Sequence, residues 1–375
     1  MDTLLRGDGF KCCSSNLSYY KFPLLLDYLN LDISISKMTF QPAIMSASLG
    51  RAWIHDFGYK MEQASKAGFK GIEIFYEDLN YLARSISGSD EPTPDHLLQA
   101  ADQIHSECQT RGLEIIALQP FLFYEGLKDR KQHASLIEKM NFWLQIVQRL
   151  NTKTIQIPAN FLPADHLTDD IDVIVADLRQ VADMGAAQTP VVRYAYENLC
   201  WSTVNDTWEK AWEVVKRVDR PNFGICLDTF NIAGRVWADP ASSTGKTANA
   251  DVDLRESLQR LVTEVDVTKV FYLQVVDAER MESPLVQGHP FHVDGQPSRM
   301  NWSRNARTFM YEEDRGAYLP SEEVAKAVVS GLGYKGWVSM ELFSRTMSDE
   351  GKNVPDLHAR RGIAAWEKLQ YRLQL

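Results

Sequence analysis

Four short apolar runs in the second half of the chain each end on a side chain able to bind a cation. They read Arg193-Tyr194-Ala195-Tyr196-Glu197, Gly224-Ile225-Cys226-Leu227-Asp228, Tyr272-Leu273-Gln274 and Trp337-Val338-Ser339-Met340-Glu341. Strand alternation puts Glu197 on one face with Ala195, Asp228 with Cys226 and Gly224, and Glu341 with Ser339. These small partners suit a crowded barrel interior. The opposite parity carries Tyr194, Tyr196, Ile225, Leu227, Leu273, Val275, Val338 and Met340, fit to pack against helices. The four polar ends are therefore expected to point inward and converge. Three carboxylates share one site in ionised form only if a cation neutralises them. Oxygen ligation by Glu197, Asp228, Gln274 and Glu341 suits Mg²⁺ or Mn²⁺ better than Zn²⁺, with Co²⁺ as a further option. A single acidic residue at a strand end is as often a helix cap or a solvated loop residue. Four in succession with one parity favour the shared site.

The elements that must hold these residues can be read from periodicity. Short runs rich in β-branched and aromatic residues fall at Ala43–Ser48, Gly71–Phe75, Leu113–Leu118, Thr154–Ile157, Val191–Glu197, Asn222–Asp228, Lys269–Val276 and Trp337–Leu342. Amphipathic stretches separate them. Leu136, Met140, Trp143, Leu144 and Val147 form one helical stripe, and Trp208, Trp212 and Val215 form another behind Asn205 and Asp206 as N-caps. The last stripe carries Ile363, Trp366, Leu369 and Leu373. Strands alternating with helices in this number predict a closed α/β architecture, the (β/α)8 TIM barrel. A doubly wound open sheet is the alternative, but no Gly-rich phosphate loop follows the first run. A barrel places its active site at the C-terminal ends of its strands, where the four polar residues lie.

Residues 38–375 are thus expected to form one catalytic barrel, preceded by an extension, residues 1–37, without periodicity and expected to be poorly ordered. The stretch 278–318 is too long for an ordinary loop and is expected to cover the site as a lid. It carries His289, His292, Arg299, Arg304 and Arg307. His96, His105 and His358 lie in helical stretches and read as surface residues. Gly331 and Gly333 read as punctuation, and Cys226 as barrel filling.

Composition narrows the function classes. The chain has 375 residues, 45% hydrophobic and 24% charged, enough for a full core. A net charge of −10 without a basic patch excludes nucleic acid as a partner. The 5 cysteines show no framework spacing and read as reduced thiols, pointing to the cytoplasm. Asp27 and Asp32 interrupt the one apolar stretch near the N-terminus, so neither a signal peptide nor a membrane span is expected.

Several longer strings carry a resemblance. They are Ser46-Ala-Ser-Leu-Gly-Arg51, Phe75-Tyr-Glu-Asp-Leu79, Gln156-Ile-Pro-Ala-Asn-Phe-Leu-Pro163, Tyr196-Glu-Asn-Leu-Cys-Trp-Ser202, Cys226-Leu-Asp-Thr-Phe-Asn-Ile-Ala-Gly-Arg235, Leu273-Gln-Val-Val-Asp-Ala278 and Asn301-Trp-Ser-Arg-Asn305. From about Met38 to the C-terminus the chain resembles the fungal 3-dehydroshikimate dehydratases, xylose isomerase-like barrels of quinate catabolism. The resemblance implies a hydro-lyase that converts 3-dehydroshikimate, a small-molecule substrate, to protocatechuate. It also implies a divalent metal on Glu197, Asp228, Gln274 and Glu341, the four residues reached above by parity. One departure stands out: Asn231 occupies the place where bacterial relatives commonly carry His.

The implied reaction removes the C4 proton and the C5 hydroxyl, and aromatisation follows. The C4 proton lies α to the C3 ketone and needs a stabilised enolate and a base. Glu341 and Glu197 are the base candidates, with His289 and His292 as alternatives on the lid. Arg304 or Arg307 is the candidate bidentate partner of the substrate carboxylate. A sugar isomerase or epimerase, using the same metal on ketoses, is one rival. A ligand-sensing barrel without turnover is the other, and an intact ligand quartet speaks against it. Because residues 1–37 lie outside both the periodic pattern and the resemblance, their deletion should leave melting temperature and turnover nearly unchanged. A large drop in melting temperature would show that the segment packs on the barrel.

Overall fold

The computed structural model describes residues 40–375, so the expectation for residues 1–37 falls outside it. The eight runs form the parallel strands β1 (Gln41–Met45), β2 (Gly71–Phe75), β3 (Glu114–Gln119), β4 (Thr154–Pro158), β5 (Arg193–Glu197), β6 (Phe223–Asp228), β7 (Val270–Gln274) and, last in the chain, β10 (Trp337–Met340). They close in the order β1-β10-β7-β6-β5-β4-β3-β2, so no strand edge is left open. Between β7 and β10 lies a two-stranded antiparallel ribbon, β8 (Asp277–Ala278) and β9 (Arg307–Thr308).

The interior follows the expected parity. Ala43, Ala117, Ala195, Cys226 and Tyr272 pack together inside the barrel, while Tyr194, Tyr196, Ile225, Leu227, Leu273, Val338 and Met340 join the larger core between strands and helices. Gly224 shows how tightly the inside is filled. A Cβ there would come within 2.3 Å of the Lys269 carbonyl oxygen and 2.7 Å of the Phe271 ring. Among the described residues no helix is long and apolar enough to cross a membrane.

The helical stripes are buried as expected. Helix Arg130–Arg149 buries Met140, Trp143, Leu144 and Val147, with Leu136 at the edge, and Trp143 stacks on Tyr76 at 4.9 Å. Helix Trp208–Val218 buries Trp208, Trp212 and Val215. Its cap differs from the expectation: Thr207 accepts from the Lys210 N–H. Asn205 is turned to the Tyr196 hydroxyl at 2.9 Å, and Asp206 pairs with Lys210 at 2.7 Å and with Arg235. The segment expected to be a lid loop has its own framework, namely the ribbon and helix Ser298–Ala306. Trp302 of that helix is buried, donates to the Glu279 carbonyl at 2.8 Å and lies 4.8 Å from Phe230.

His358 corrects the surface reading. Its helix, Val354–Leu373, lies against the first strand's exit, and the imidazole is 1% exposed. Nδ1 lies 2.7 Å from the Ser48 carbonyl oxygen and Nε2 lies 3.1 Å from the Thr346 hydroxyl. The helix pattern alone hid this, because a polar residue on an apolar stripe is indistinguishable from one facing water. Burial, with the nearby Arg361 charge, lowers the His358 pKa from 6.5 to about 4. A base whose pKa is depressed by folding stabilises the fold above its unfolded value, and that contribution is lost as pH falls through the folded one. Between pH 7 and 4 the stability advantage of the wild type over His358→Gln should shrink by about 3 kcal/mol. An advantage that stays flat over that window in urea unfolding would contradict a buried neutral imidazole.

Candidate active site

Strand termini deliver the site. Glu197 and Asp228 are the last residues of β5 and β6, Gln274 is the last of β7, and Glu341 directly follows β10. All are buried. Oxygens of Glu197, Asp228 and Glu341 lie within 4.8 Å of one another, a set of hard donors that fits a divalent cation. Gln274 stands beside them, but it turns its N–H to Glu341 Oε1 at 2.9 Å. Its oxygen accepts from the Cys226 thiol at 3.3 Å, so the amide oxygen is not presented to the carboxylates in this structure.

Asp228 unites the two readings offered for an acidic strand end. One oxygen accepts from the Phe230 N–H at 2.9 Å and caps helix Thr229–Val236. The other accepts from Asn231 Nδ2 at 2.8 Å and from Arg307 at 3.0 Å. Asn231 also donates to Glu197 at 2.9 Å, while its own oxygen accepts from the Cys200 N–H at 3.0 Å. The other Glu197 oxygen accepts from Gln156 at 2.5 Å.

Arg307, at the start of β9, enters the cluster from the 278–318 segment. Its guanidinium lies 2.9 Å from Glu341 Oε2 as well as on Asp228, and 3.0 Å from Ser303 Oγ. Phe230 and Phe343 face it at 4.2 and 5.2 Å. This residue is an internal counter-charge, fully enclosed, and its fork is committed to the carboxylates. Arg304 differs. It is exposed at the cleft, and among the described residues its only side-chain partner is the Gln296 oxygen at 3.1 Å. Partial enclosure of its stem by the cleft and the neighbouring charge of Arg51 both lower its proton affinity.

The electrostatics are dominated by burial of like charges. Burial, then the charges of Glu341 and Asp228, lift the Glu197 pKa well above the carboxylate range. Glu341 is pushed to about 8 by burial, against the pull of Arg307. Burial also raises Asp228, with Arg307 opposing. For Arg307, burial favours proton loss, but the surrounding carboxylates outweigh it and hold the guanidinium charged.

Above the cluster opens a cleft of about 150 Å³ walled by Phe75, Phe161, Trp201 and Phe343, with Arg304 at its rim and Glu197 and Glu341 at its floor. His289 and His292 do not line it: His289 Nδ1 accepts from the Phe291 N–H at 3.1 Å, and His292 pairs with Asp294 at 3.1 Å. A larger opening of about 630 Å³ lies at the opposite strand ends, between Glu114, Arg193, Phe271 and Trp337, away from the carboxylates. Sequence reasoning missed Glu73, Gln119 and Gln156. Their signal was present, since Glu73 and Gln156 each sit between two isoleucines within a strand, on the inward parity.

Comparisons with known proteins agree with this architecture. Residues 61–369 match the family model of the xylose isomerase-like TIM barrel. The 3-dehydroshikimate dehydratase of Neurospora crassa is 52% identical over 339 residues, covering 89% of this chain and 94% of that protein. A 3-dehydroshikimate dehydratase of Pseudomonas aeruginosa is 28% identical over 285 residues, 76% of this chain but 36% of that longer protein. Among solved structures, a xylose isomerase-like TIM barrel/4-hydroxyphenylpyruvate dioxygenase fusion protein superposes with a TM-score of 0.64 at 22% identity. That superposition covers 89% of this chain and 43% of the fusion protein, and bears on the fold alone.

Replacing Arg307 with Met keeps an apolar stem between the two rings and removes the charge. Breaking a buried ion pair from one side costs about 3–5 kcal/mol. The metal-free variant should therefore unfold at a clearly lower urea midpoint. An unchanged midpoint would show that protons, not the guanidinium, neutralise the carboxylates.

Proposed function

This chain belongs to the xylose isomerase-like TIM barrel family, and we propose that it dehydrates 3-dehydroshikimate to protocatechuate with a divalent cation on its strand-end carboxylates. The observation that carries the reading is the buried triad of Glu197, Asp228 and Glu341 beneath an aromatic-walled cleft. The 52% identity to the Neurospora crassa dehydratase along nearly its whole length supports the substrate.

Glu197, Asp228 and Glu341 would hold the cation, with Gln274 adjacent; Mg²⁺ or Mn²⁺ suits such oxygens, and Co²⁺ is an acceptable substitute. When bound, the cation supplies Lewis-acid stabilisation of charge that develops on the C3 carbonyl. The protein does the rest. Phe75, Phe161, Trp201 and Phe343 enclose a six-membered ring and exclude water from it. Arg304 grips the ring carboxylate through two parallel N–H donors. Arg307, bound on both sides, keeps Asp228 and Glu341 oriented.

Proton removal from C4 falls to a carboxylate at the cleft floor. Glu341 and Glu197 line the cleft, and the buried setting makes each a stronger base than a carboxylate in water. Asn231, standing among them, offers no basic nitrogen. The departing C5 hydroxyl needs a proton, and a carboxylate with a raised pKa can return the one it has taken. Transfer of a C6 proton to the C3 oxygen then completes the aromatic ring.

With Mg²⁺ or Mn²⁺ and 3-dehydroshikimate, catecholic ultraviolet absorbance should grow, EDTA should stop it, and added metal should restore it. Shikimate and quinate should be left intact, since neither has a C3 ketone to acidify the C4 proton. Interconversion of ketoses with 3-dehydroshikimate untouched would replace this reading by the isomerase. Arg304→Lys keeps the charge but not the fork, and should raise KM about tenfold, the equivalent of about 1.4 kcal/mol. An unchanged KM would remove the clamp from Arg304.

A further inference from the structure

We infer that Glu73 is a positioning residue for the metal-binding carboxylates, acting through the amides of Gln119 and Gln274. The inference rests on the metal-centre reading above.

Glu73 lies in the middle of β2, wholly buried in the barrel interior and outside the cleft lining. A carboxylate in such a place needs donors, and the structure supplies them from three other strands. Gln119, at the end of β3, donates to Oε2 at 2.7 Å. Gln274, at the end of β7, donates to Oε2 at 3.0 Å and approaches Oε1 at 3.3 Å. Ser339 of β10 donates its hydroxyl to Oε1.

Each of the two amide nitrogens also reaches Glu341 Oε1, Gln119 at 3.1 Å and Gln274 at 2.9 Å. A primary amide has two N–H bonds that diverge in one plane. With one directed at Glu73, the direction of the other is set, and in both glutamines it ends on the same Glu341 oxygen. Glu73 and Glu341 thus form opposite corners of a ring whose other corners are the two amides. The second Glu341 oxygen is held by Arg307 at 2.9 Å. Glu341 is therefore fixed from below through Glu73 and from above through the lid.

Loss of Glu73 would free both amides to rotate, and Glu341 would lose the partners that fix its rotamer. The cation would then have to order a ligand that the native chain presents already ordered. Partners behind metal ligands are typically worth 10–100-fold in affinity.

The test is Mn²⁺ binding to the full-length protein, read by the electron paramagnetic resonance of free Mn²⁺, together with melting temperatures with and without the ion. Glu73→Gln removes the charge and sets an amide against the two amides. Glu73→Asp keeps the charge and withdraws it by one methylene from both. Each variant should bind Mn²⁺ 10–100-fold more weakly than wild type, and the gain in melting temperature on adding Mn²⁺ should shrink. A merely structural Glu73 would lower both melting temperatures alike and leave the dissociation constant unchanged, which would overturn the inference. Wild-type affinity in Glu73→Asp would also overturn it, by assigning the effect to charge. Should Glu73→Gln fail to fold, Glu73→Asp alone decides. No Mn²⁺ binding by the wild type would overturn the metal reading and this inference with it.

Discussion

Among the described residues, four carboxylates, those of Glu73, Glu197, Asp228 and Glu341, are enclosed in the barrel interior with a single guanidinium among them, that of Arg307. Nothing in the core packing asks for this, and burial of a charge without a partner is costly. The surrounding polar structure answers that constraint. Gln119, Gln156, Asn231 and Gln274 each turn an amide N–H to a carboxylate oxygen, so the interior holds a lattice of donors around an excess of negative charge. Amides soften the repulsion without neutralising it. Burial above all makes these carboxylates take up protons readily, and the excess of negative charge among them suits a divalent cation.

The same constraint explains why the segment 278–318 is built rather than loose. Arg307 is delivered by the β8–β9 ribbon, and its backbone N–H donates to the Phe343 carbonyl at 3.0 Å just beyond Glu341. Trp302, buried against Phe230, ties the lid helix to the helix that Asp228 caps. Asp277, at the start of the ribbon, accepts from the backbone N–H groups of Ala278, Tyr318 and Leu319 at 2.7, 3.0 and 2.7 Å. The two ends of the lid are thereby held together close to the barrel. A mobile loop could not keep one guanidinium on two carboxylates at hydrogen-bonding distance.

The strands were legible because parallel strands buried on both faces leave apolar runs, and the strand-end acids because alternation has a fixed period. Every one of the eight runs became a barrel strand, with boundary shifts of a few residues, as at Ala43–Ser48 against Gln41–Met45. Glu73 and Gln156 are less legible because they lie inside their strands, not at the strand ends where a barrel places its active site. Thr207 replaced Asn205 and Asp206 as a cap, and His358 proved buried, because each choice depends on a neighbour distant in sequence. Arg307 reads in the sequence as a candidate partner of the substrate carboxylate, but its attachment to Asp228 and Glu341 depends on how the 278–318 segment folds. Local periodicity carries no information about that.

On the proposed reading, the division of labour between the two lid arginines follows from dielectric and geometry. A guanidinium enclosed by Asp228, Glu341, Phe230 and Phe343 cannot leave for a substrate carboxylate without abandoning two buried anions. Arg304, exposed and close to Arg51, has the opposite need: among the described residues its guanidinium has the Gln296 oxygen for a partner but no carboxylate. An anionic ring entering the cleft meets that need at the rim, while its ketone end is directed toward the carboxylates at the floor. The charge pattern therefore orients the substrate before any chemistry begins, with its anionic end at the arginine and its acidic C–H toward the bases.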